Sequence, residues 1–360
     1  KSCRSPKMPV TGEGRLKILI LAEAPGEQED AQNTQLIGPA GQVLRKTLAG
    51  FGVDLDRDCR KTNAVRCRPP GNRRPTGQEI ASCAPHVWEE IKTHPPRLII
   101  PLGQVAIESF LLGRTAKTPN SIGAWRGFCI PDQKAGCWVC PTFHPSYILR
   151  SQQGRAIRGK ASREKSVEEF TFQADLERAL NHLRTPFPSI PLQEWSGDKI
   201  RVKKGTTIAF DYETTGLRPW EKGQRILSVG VSDGKWAGAV PLTREFAREW
   251  KQILADPSIR KVAHNMKFEH QWAAHCLGVE TGGWVWDTMV AEHVIDNRPG
   301  ITSLKTAAYL MLGVDDWGGE VRGSLKDLGK VGVTPALLEY NAKDAFYTFH
   351  LYRQQRKLIK

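Results

Sequence analysis

The feature of this sequence that most constrains its fold is a proline-rich, basic segment at residues 186–205. Pro186, Pro188 and Pro191 are followed by a basic run that ends at Gly205, which is a composition typical of a linker. A chain of 360 residues is also longer than one ordinary compact domain. The sequence therefore predicts two domains, residues 1–185 and residues 206–360, joined by this linker.

The first predicted domain alternates short apolar runs with helical patterns. Strands are predicted at residues 16–22, 60–66, 98–103 and 136–143, and helices at residues 39–51, 77–93 and 162–184. Strands that alternate with helices favour a parallel sheet covered by helices. We therefore expect an α/β/α layered domain.

The second predicted domain opens with three strand patterns in succession, at residues 206–212, 225–232 and 236–242. Such a succession favours an antiparallel meander. Helical patterns follow at residues 244–255, 266–277, 287–297, 302–312 and 334–359. The predicted fold class of the whole chain is α/β.

Charge and cysteine content narrow the class of protein. The net charge is +14, with most of the excess in the first half, and this favours a polyanionic partner such as nucleic acid over an ordinary basic protein. No apolar run approaches the length of a membrane span, and no signal segment opens the chain. We therefore expect no membrane partner and a cytoplasmic location, in a bacterium or a phage-infected host. The eight cysteines then indicate reduced thiols or metal ligands rather than disulfides.

Carboxylates at regular spacings mark the second domain. Asp211 and Glu213 end a predicted strand on the same face, where they repel each other unless a cation lies between them. Tyr340 and Asp344 are four residues apart on a predicted helix and share one of its faces. A further carboxylate, Glu269, lies at the start of another helix.

Residues 211–217, 264–269, 286–289 and 340–345, in this order and spacing, resemble the DEDDy 3′–5′ exonucleases, most closely the proofreading domain of family-A DNA polymerases. The resemblance implies a ribonuclease H-like fold and hydrolysis with two Mg²⁺ or Mn²⁺ ions. It implies that Tyr340 orients the attacking water, that Asn265 lies on the substrate side, and that the metal ligands are Asp211, Glu213, Glu269 and Asp344. The family usually has Asp at the position of Glu269. We interpret Asp287 as a helix cap rather than a ligand.

Four segments of the first domain resemble the family-4 uracil-DNA glycosylases, which carry an iron–sulfur cluster. They are residues 23–30, Gly38 with Gly41, residues 62–70 and residues 144–146. The resemblance implies hydrolysis of the N-glycosidic bond of deoxyuridine. This chemistry needs a donor for the uracil anion, a reader of the base edge and a carboxylate that holds water, roles that fall on His144, Asn63 and Glu23.

The same resemblance assigns residues to substrate binding. Gly26, Gly38 and Gly41 would let the backbone approach the phosphate and the base. A wedge that holds the duplex open is expected beside His144, with Tyr147 and Ile148 as candidates. The family stacks a Phe on uracil where this chain has Leu36, which packs on a base without a π face.

The cysteines match the expected [4Fe–4S] ligands in part. Cys67 and Cys83 fit the later pair of the family's four cysteines, whereas Cys3 is the candidate for the early pair. Cys137 and Cys140 form a tempting substitute, but their place on a predicted strand favours core thiols.

The sequence predicts a DNA repair or replication enzyme that acts on a single-stranded or frayed 3′ end, with a DNA polymerase in cis or in trans. Two alternatives stay open at this point. The first domain could be a non-catalytic DNA- or uracil-binding module beside an active exonuclease, or the carboxylate set could act on RNA.

Overall fold

The computed structural model describes residues 7–115, 121–157, 165–190, 200–319, 321, 323 and 332–359. The chain divides into two compact units, Lys1–Ser189 and Ile190–Lys360. Residues 191–199 of the predicted linker, and Cys3, lie outside the described residues. Within the described part of the chain, no helix combines the length and the apolarity needed to cross a membrane.

Among the described residues, the first unit has one five-stranded sheet in the order β2-β1-β3-β5-β4. Strands β1, β2, β3 and β5 are parallel, and β4 is antiparallel to β5. The strands are β1 (Ile18–Ala22), β2 (Cys59–Asn63), β3 (Leu98–Pro101), β4 (Ile130–Asp132) and β5 (Cys137–Val139). The helices are α1 (Glu27–Gln32), α2 (Pro39–Gly50), α3 (Gly77–Thr93), α4 (Gln104–Phe110), α5 (Ile122–Trp125), α6 (Pro145–Ile157) and α7 (Val167–Asn181).

The core of the first unit forms where branched strand residues meet helix faces. Ile18, Ile20 and Ile100 are at most 1% exposed and pack with Leu44 of α2 and Leu176 of α7. Each such side chain stabilises the fold by roughly 1.5–3 kcal/mol. Helices α3 and α7 each begin at a capping box, which satisfies the first backbone N–H groups of the helix.

The second unit has, in its described residues, a five-stranded sheet in the order β10-β9-β6-β7-β8. The antiparallel meander of β6, β7 and β8 is confirmed, and β9 and β10 extend the sheet in parallel. The strands are β6 (Thr207–Thr214), β7 (Ile226–Ser232), β8 (Ala237–Pro241), β9 (Arg260–Ala263) and β10 (Trp284–Asp287). The helices are α8 (Arg244–Ala255), α9 (Met266–Trp272), α10 (Thr288–Ile295), α11 (Leu304–Leu312) and α12 (Pro335–Leu358).

Aromatic packing and one close helix approach fix the second unit. Trp250 is fully buried, and its indole N–H donates to the Tyr212 hydroxyl at 2.7 Å. Helix α12 lies so close to β7 that a Cβ on Gly230 would be 2.3 Å from the carbonyl oxygen of Asn341. A glycine at this position therefore lets α12 pack directly on the sheet.

Some predicted elements differ in the structure. The helix predicted from residue 162 begins at Val167, because Ser166 and Glu169 cap it there, and residues 162–164 lie outside the described residues. The helix predicted over residues 266–277 is α-helical to Trp272 and continues as a π-helix, Ala273–Leu277. Strands β4 and β10 were not predicted, because three or four residues show too little periodicity.

Candidate active sites

A cavity of about 780 Å³ opens at one edge of the first sheet. In the parallel register Ala22 lies opposite Asn63, so Glu23 and Asn63 lie at the ends of neighbouring strands. His144 follows β5, whose extension pairs Thr142 with Leu102. Because the carboxyl ends of parallel strands share one edge, the three predicted catalytic residues line this cavity together.

The surroundings of His144 select its protonation state. The backbone N–H of Ser146 donates to the Nδ1 atom of His144 at 3.2 Å, and the Ser146 Oγ atom lies 2.8 Å from the same nitrogen. Burial, together with the Arg150 guanidinium, lowers the pKa of His144 to about 4. At neutral pH the ring is therefore uncharged, with Nδ1 as an acceptor and the proton on Nε2.

Glu23 is a half-buried carboxyl group among charged neighbours. Burial raises its pKa, whereas Arg74 and Arg150 oppose the rise. Arg74 donates to Glu108 at 2.8 Å, so its charge is partly shared. A carboxylate held in this way can accept a hydrogen bond from water.

Glycines shape the loop on one side of the cavity. The N–H of Gly38 donates to Glu29 Oε1 at 2.8 Å, and a Cβ on Gly26 would lie 2.6 Å from Glu29 Oε2. A Cβ on Gly41 would lie 1.9 Å from the carbonyl oxygen of Leu36, a buried residue in the left-handed region at φ 55°. These glycines permit close packing of the loop, and Gly26 and Leu36 line the cavity.

The structure corrects one of the two wedge candidates. Tyr147 is 41% exposed and lines the cavity, where its ring lies 4.9 Å from that of Phe143. Ile148 is 1% exposed and packs in the core of the first unit. Adjacent residues of a helix point about 100° apart, so α6 presents Tyr147 outward and buries Ile148. The prediction that Ile148 contacts substrate is therefore wrong.

The cysteines fit the expected cluster in part. Cys83 of α3 is a free thiol that packs beside Ala64 and Val65, in the segment that leads to Cys67. Cys67, by contrast, is disulfide-bonded in the structure, so the prediction of reduced cysteines rather than disulfides is wrong at this position. Its assignment as a cluster ligand stays a prediction. Cys137 and Cys140 are buried, and burial raises the pKa of both, so they are core thiols as predicted.

A group of acidic side chains lies in the second unit. One carboxylate oxygen from each of Asp211, Glu213 and Asp344 lies within 4.8 Å of the others. Among the described residues, this is the group of side chains whose spacing could hold a metal ion. We call these three residues the acidic triad. Oxygen donors at this spacing suit a hard divalent cation.

Asn341 fixes the acidic triad to the sheet. Its Nδ2 atom donates to Asp211 Oδ2 at 2.8 Å and to the Asp211 carbonyl at 3.1 Å. Its Oδ1 atom accepts a hydrogen bond of 2.9 Å from the Ser228 hydroxyl on β7. The close approach of α12 at Gly230 thus sets the distance between Asp344 and the β6 carboxylates.

Burial and mutual repulsion act together on these carboxyl groups. Burial raises the pKa of Asp211 and Glu213 well above the usual range, and the neighbouring carboxylates raise it further. Burial also raises the pKa of Asp344, although the Lys305 ammonium opposes it. A bound cation would relieve this repulsion, which is the physical reason to expect metal binding.

Two side chains that the sequence did not reveal touch Asp344. Lys305 of α11 and Trp317 both donate to its Oδ1 atom, Trp317 at 2.6 Å. The Lys305 Nζ atom also lies 4.2 Å from the centre of the Tyr340 ring. Nothing in the sequence around Lys305 distinguishes it from an ordinary helix residue, and Trp317 lies in an irregular segment.

Glu269 lies on α9, outside the acidic triad. It is 2% exposed, the backbone of Tyr212 hydrogen-bonds to it, and its Oε2 atom has no hydrogen-bond partner among the described residues. A buried carboxylate oxygen without a partner is costly, so this atom suits a cation. Its assignment as the fourth ligand stays a prediction.

Asp287 is a cap, as predicted. It accepts hydrogen bonds from Met289 and Val290 at the start of α10. It also accepts from the backbone of Asn265 and Met266 at the start of α9. This holds Asn265 in the left-handed region at φ 73° before α9, and its substrate role stays a prediction.

Fold and sites together define a hydrolase that acts on nucleic acid, with a cavity lined by Glu23, Asn63 and His144 in one unit and a carboxylate nuclease site in the other. Residues 9–171 match the uracil DNA glycosylase superfamily, and residues 199–360 match the 3'-5' exonuclease family. The first unit is 35% identical over 182 residues to the type-4 uracil-DNA glycosylase of Pyrobaculum aerophilum. The matched region covers 49% of this chain and 88% of that protein. The chain therefore belongs to the type-4 uracil-DNA glycosylases through its first unit, and it carries a 3'-5' exonuclease domain as its second.

Further relatives cover one unit or both. The type-4 uracil-DNA glycosylase of Thermotoga maritima is 38% identical, over 41% of this chain and 76% of that protein. The DNA polymerase of Bacillus phage SP01 is 28% identical over 99% of this chain, which spans 42% of that polymerase. The solved structure of Brucella melitensis NrnC with bound Mg²⁺ is 25% identical, with a TM-score of 0.34 over 42% of this chain and 72% of that chain.

Proposed function

We propose that this protein excises uracil from DNA with its first unit and degrades a DNA strand from its 3′ end with its second, in replication or repair. The observation that carries the proposal is that one chain holds a cavity lined by Glu23, Asn63 and His144 together with the acidic triad. Each site has the groups that its reaction needs.

In the first unit, cleavage of the glycosidic bond places negative charge on the departing uracil. The neutral His144 donates its Nε2 proton as a hydrogen bond to the uracil O2 atom, which stabilises that charge. The Asn63 amide reads the base edge, and Glu23 holds the attacking water and favours the cationic sugar. Leu36 packs on the base face, while Gly26, Gly38 and Gly41 let the loop approach it. Tyr147 takes the place of the flipped base.

In the second unit, the acidic triad and Glu269 would hold two Mg²⁺ or Mn²⁺ ions. Such ions, when bound, activate water and stabilise the leaving oxygen of a phosphodiester. Tyr340 orients the water from one turn before Asp344 on α12, Asn265 contacts the strand, and Asn341 keeps Asp211 in place.

Cys67 and Cys83 would supply two of the four thiolates of a [4Fe–4S] cluster, with Cys3 as the candidate for a third. The cluster would serve to hold the loop after β2 against α3, since Cys83 of α3 packs beside Ala64 and Val65 of that loop. The proposed domains remain residues 1–185 and 206–360 with the linker 186–205.

The proposed substrate of the exonuclease is single-stranded or frayed DNA. A DNA polymerase, in cis or in trans, is the proposed partner. This proposal is supported by the similarity of almost the whole chain to the phage polymerase. Proofreading would then be the role of the second unit.

The test uses a 5′-labelled single strand that contains one deoxyuridine. Incubation in EDTA followed by alkali should give one band, which Glu23→Ala and His144→Ala abolish. A parallel reaction in Mg²⁺ should give a ladder, which Asp211→Ala abolishes. An RNA strand of the same sequence serves as the comparison for the second activity.

This test can refute the glycosylase activity and the exonuclease activity independently of each other. A ladder in Mg²⁺ without a band in EDTA, in protein purified anaerobically, would leave the first unit as a binding module, a reading that Leu36 in place of an aromatic residue favours. A band without a ladder would remove the exonuclease half of the proposal. Faster cleavage of RNA than of DNA would contradict the proposed substrate.

A further inference from the structure

A lysine lies against the acidic triad. Lys305, in the first turn of α11, donates through Nζ to the Oδ1 atom of Asp344, and Trp317 Nε1 donates to the same oxygen at 2.6 Å. The Lys305 side chain is 20% exposed and that of Asp344 is 8% exposed. Two donors thus occupy Oδ1, and Oδ2 is the oxygen that neither Lys305 nor Trp317 takes. The Tyr340 side chain is also hydrogen-bonded to the Asp344 carboxylate.

The same ammonium lies between two aromatic rings. Its Nζ atom is 4.0 Å from the centre of the Trp317 ring and 4.2 Å from the centre of the Tyr340 ring. Both distances are within the range of cation–π attraction. Tyr340 and Asp344 lie one turn apart on α12, so one cation contacts both residues of the pair that the sequence spacing had indicated.

A simple counter-ion would not need this arrangement. A lysine that only neutralised carboxylates would be displaced when a divalent cation arrived, because both compete for the same oxygens. The contacts of Lys305 with the two rings do not depend on the carboxylate oxygens for which a metal ion competes. A largely desolvated ammonium is also costly unless it is paired, so its place beside Asp344 indicates a lasting contact.

We propose that Lys305, together with Trp317, is a positioning residue of the exonuclease. It fixes the Asp344 carboxylate with the Oδ2 atom towards Asp211 and Glu213, and it holds Tyr340 at the edge of the site. The inference rests on the exonuclease half of the proposed function. Reacting groups that are misplaced by an ångström cost roughly a hundredfold in rate, so a fixed carboxylate and a fixed phenol matter for turnover rather than for strand binding.

The test compares Lys305→Met and Lys305→Arg with a matched control, Lys343→Met. Lys343 is next to Asp344 in sequence and is about as exposed as Lys305, at 22%, but it pairs with Glu339 one turn earlier on α12. The rate constant and KM are measured on a 5′-labelled single strand at saturating Mg²⁺. Mn²⁺ binding without nucleic acid is measured by calorimetry, and the melting temperature of every variant is recorded.

We expect Lys305→Met to lower the rate constant by about 10–100-fold with KM within about threefold, and Lys305→Arg to recover part of the loss. Lys343→Met should behave as the wild type. Mn²⁺ should bind Lys305→Met at least as tightly as the wild type, because a positive charge that repels the metal ion has been removed.

Three results would overturn the inference: a Lys305→Met rate within about threefold of the wild type, a deficit that higher Mg²⁺ removes, or a loss of Mn²⁺ binding. If Lys305→Met does not fold, Lys305→Gln, which keeps a donor without the charge, is held to the same thresholds. A wild type that is inactive on DNA and RNA would instead refute the exonuclease function, and the Mn²⁺ titration alone would then decide the positioning role.

Discussion

Replacing Gly230 by alanine should disable the exonuclease site while leaving the cavity of the first unit unchanged. A Cβ at this position would lie 2.3 Å from the carbonyl oxygen of Asn341 and 3.0 Å from its Cγ atom, whereas ordinary contacts begin near 3.4 Å. The obstacle is backbone, so no change of rotamer relieves it. Helix α12 must therefore move away from β7 by about 1 Å.

The size of the effect follows from what α12 carries. Overpacking of this kind costs about 1–3 kcal/mol of the free energy of unfolding. The shift also pulls Asn341 away from Asp211, where it now donates at 2.8 Å, and displaces Asp344 from the acidic triad. A displacement of about 1 Å at a reacting centre costs on the order of 100-fold in rate.

The assay is the labelled single strand in Mg²⁺, with the uracil excision band in EDTA as an internal control from the same chain. Gly319→Ala is the matched control, because a Cβ there meets no described atom within 4 Å. An exonuclease rate for Gly230→Ala within threefold of the wild type would refute the argument, as would an equal loss in Gly319→Ala.

Three further predictions test the two sites. Asn341→Ala should lower the exonuclease rate roughly tenfold and leave uracil excision intact, because it removes the donor to Asp211; unchanged strand degradation would contradict this. The folded pKa of His144, about 4, lies below its usual 6.5, so the unfolded chain takes up the proton first as the pH falls. The first unit should therefore be most stable above pH 6.5, and its free energy of unfolding should fall by about 2 kcal/mol between pH 7 and pH 5. Urea unfolding measures this change, and His144→Gln should lack it. Tyr147→Ala should weaken excision with an unchanged melting temperature, whereas Ile148→Ala should cost about 2–5 kcal/mol of stability; the reverse pattern would contradict their assignments.

Local rules predicted the features that depend on neighbours in sequence. Asp211 and Glu213 share a face because side chains alternate along a strand, and their carboxylates do lie together. Asp287 caps α10 because a short acidic side chain reaches the first N–H groups of the following turn. The strand patterns at residues 206–242 were sufficient to predict the meander.

Other features depend on which surfaces meet. The wedge prediction included Ile148 because sequence proximity to His144 says nothing about the direction in which a helix presents each side chain. The sequence did not predict the contacts of Lys305 and Trp317, because neither residue belongs to a recognisable local pattern. Their shared partner, Asp344, is 39 and 27 residues away from them in sequence. Contacts at such separations follow from packing, which periodicity does not encode.

The sequence by itself determined the two-unit α/β organisation and the kinds of group at each site, because strand and helix periods and the spacing of functional side chains are local properties of the chain. Only the tertiary structure decided that burial keeps the ring of His144 neutral, and that Asn341 and Lys305 contact the acidic triad. These contacts form when separate elements pack, as α12 does on β7 at Gly230, and the geometry of that packing sets which atoms lie within hydrogen-bond distance.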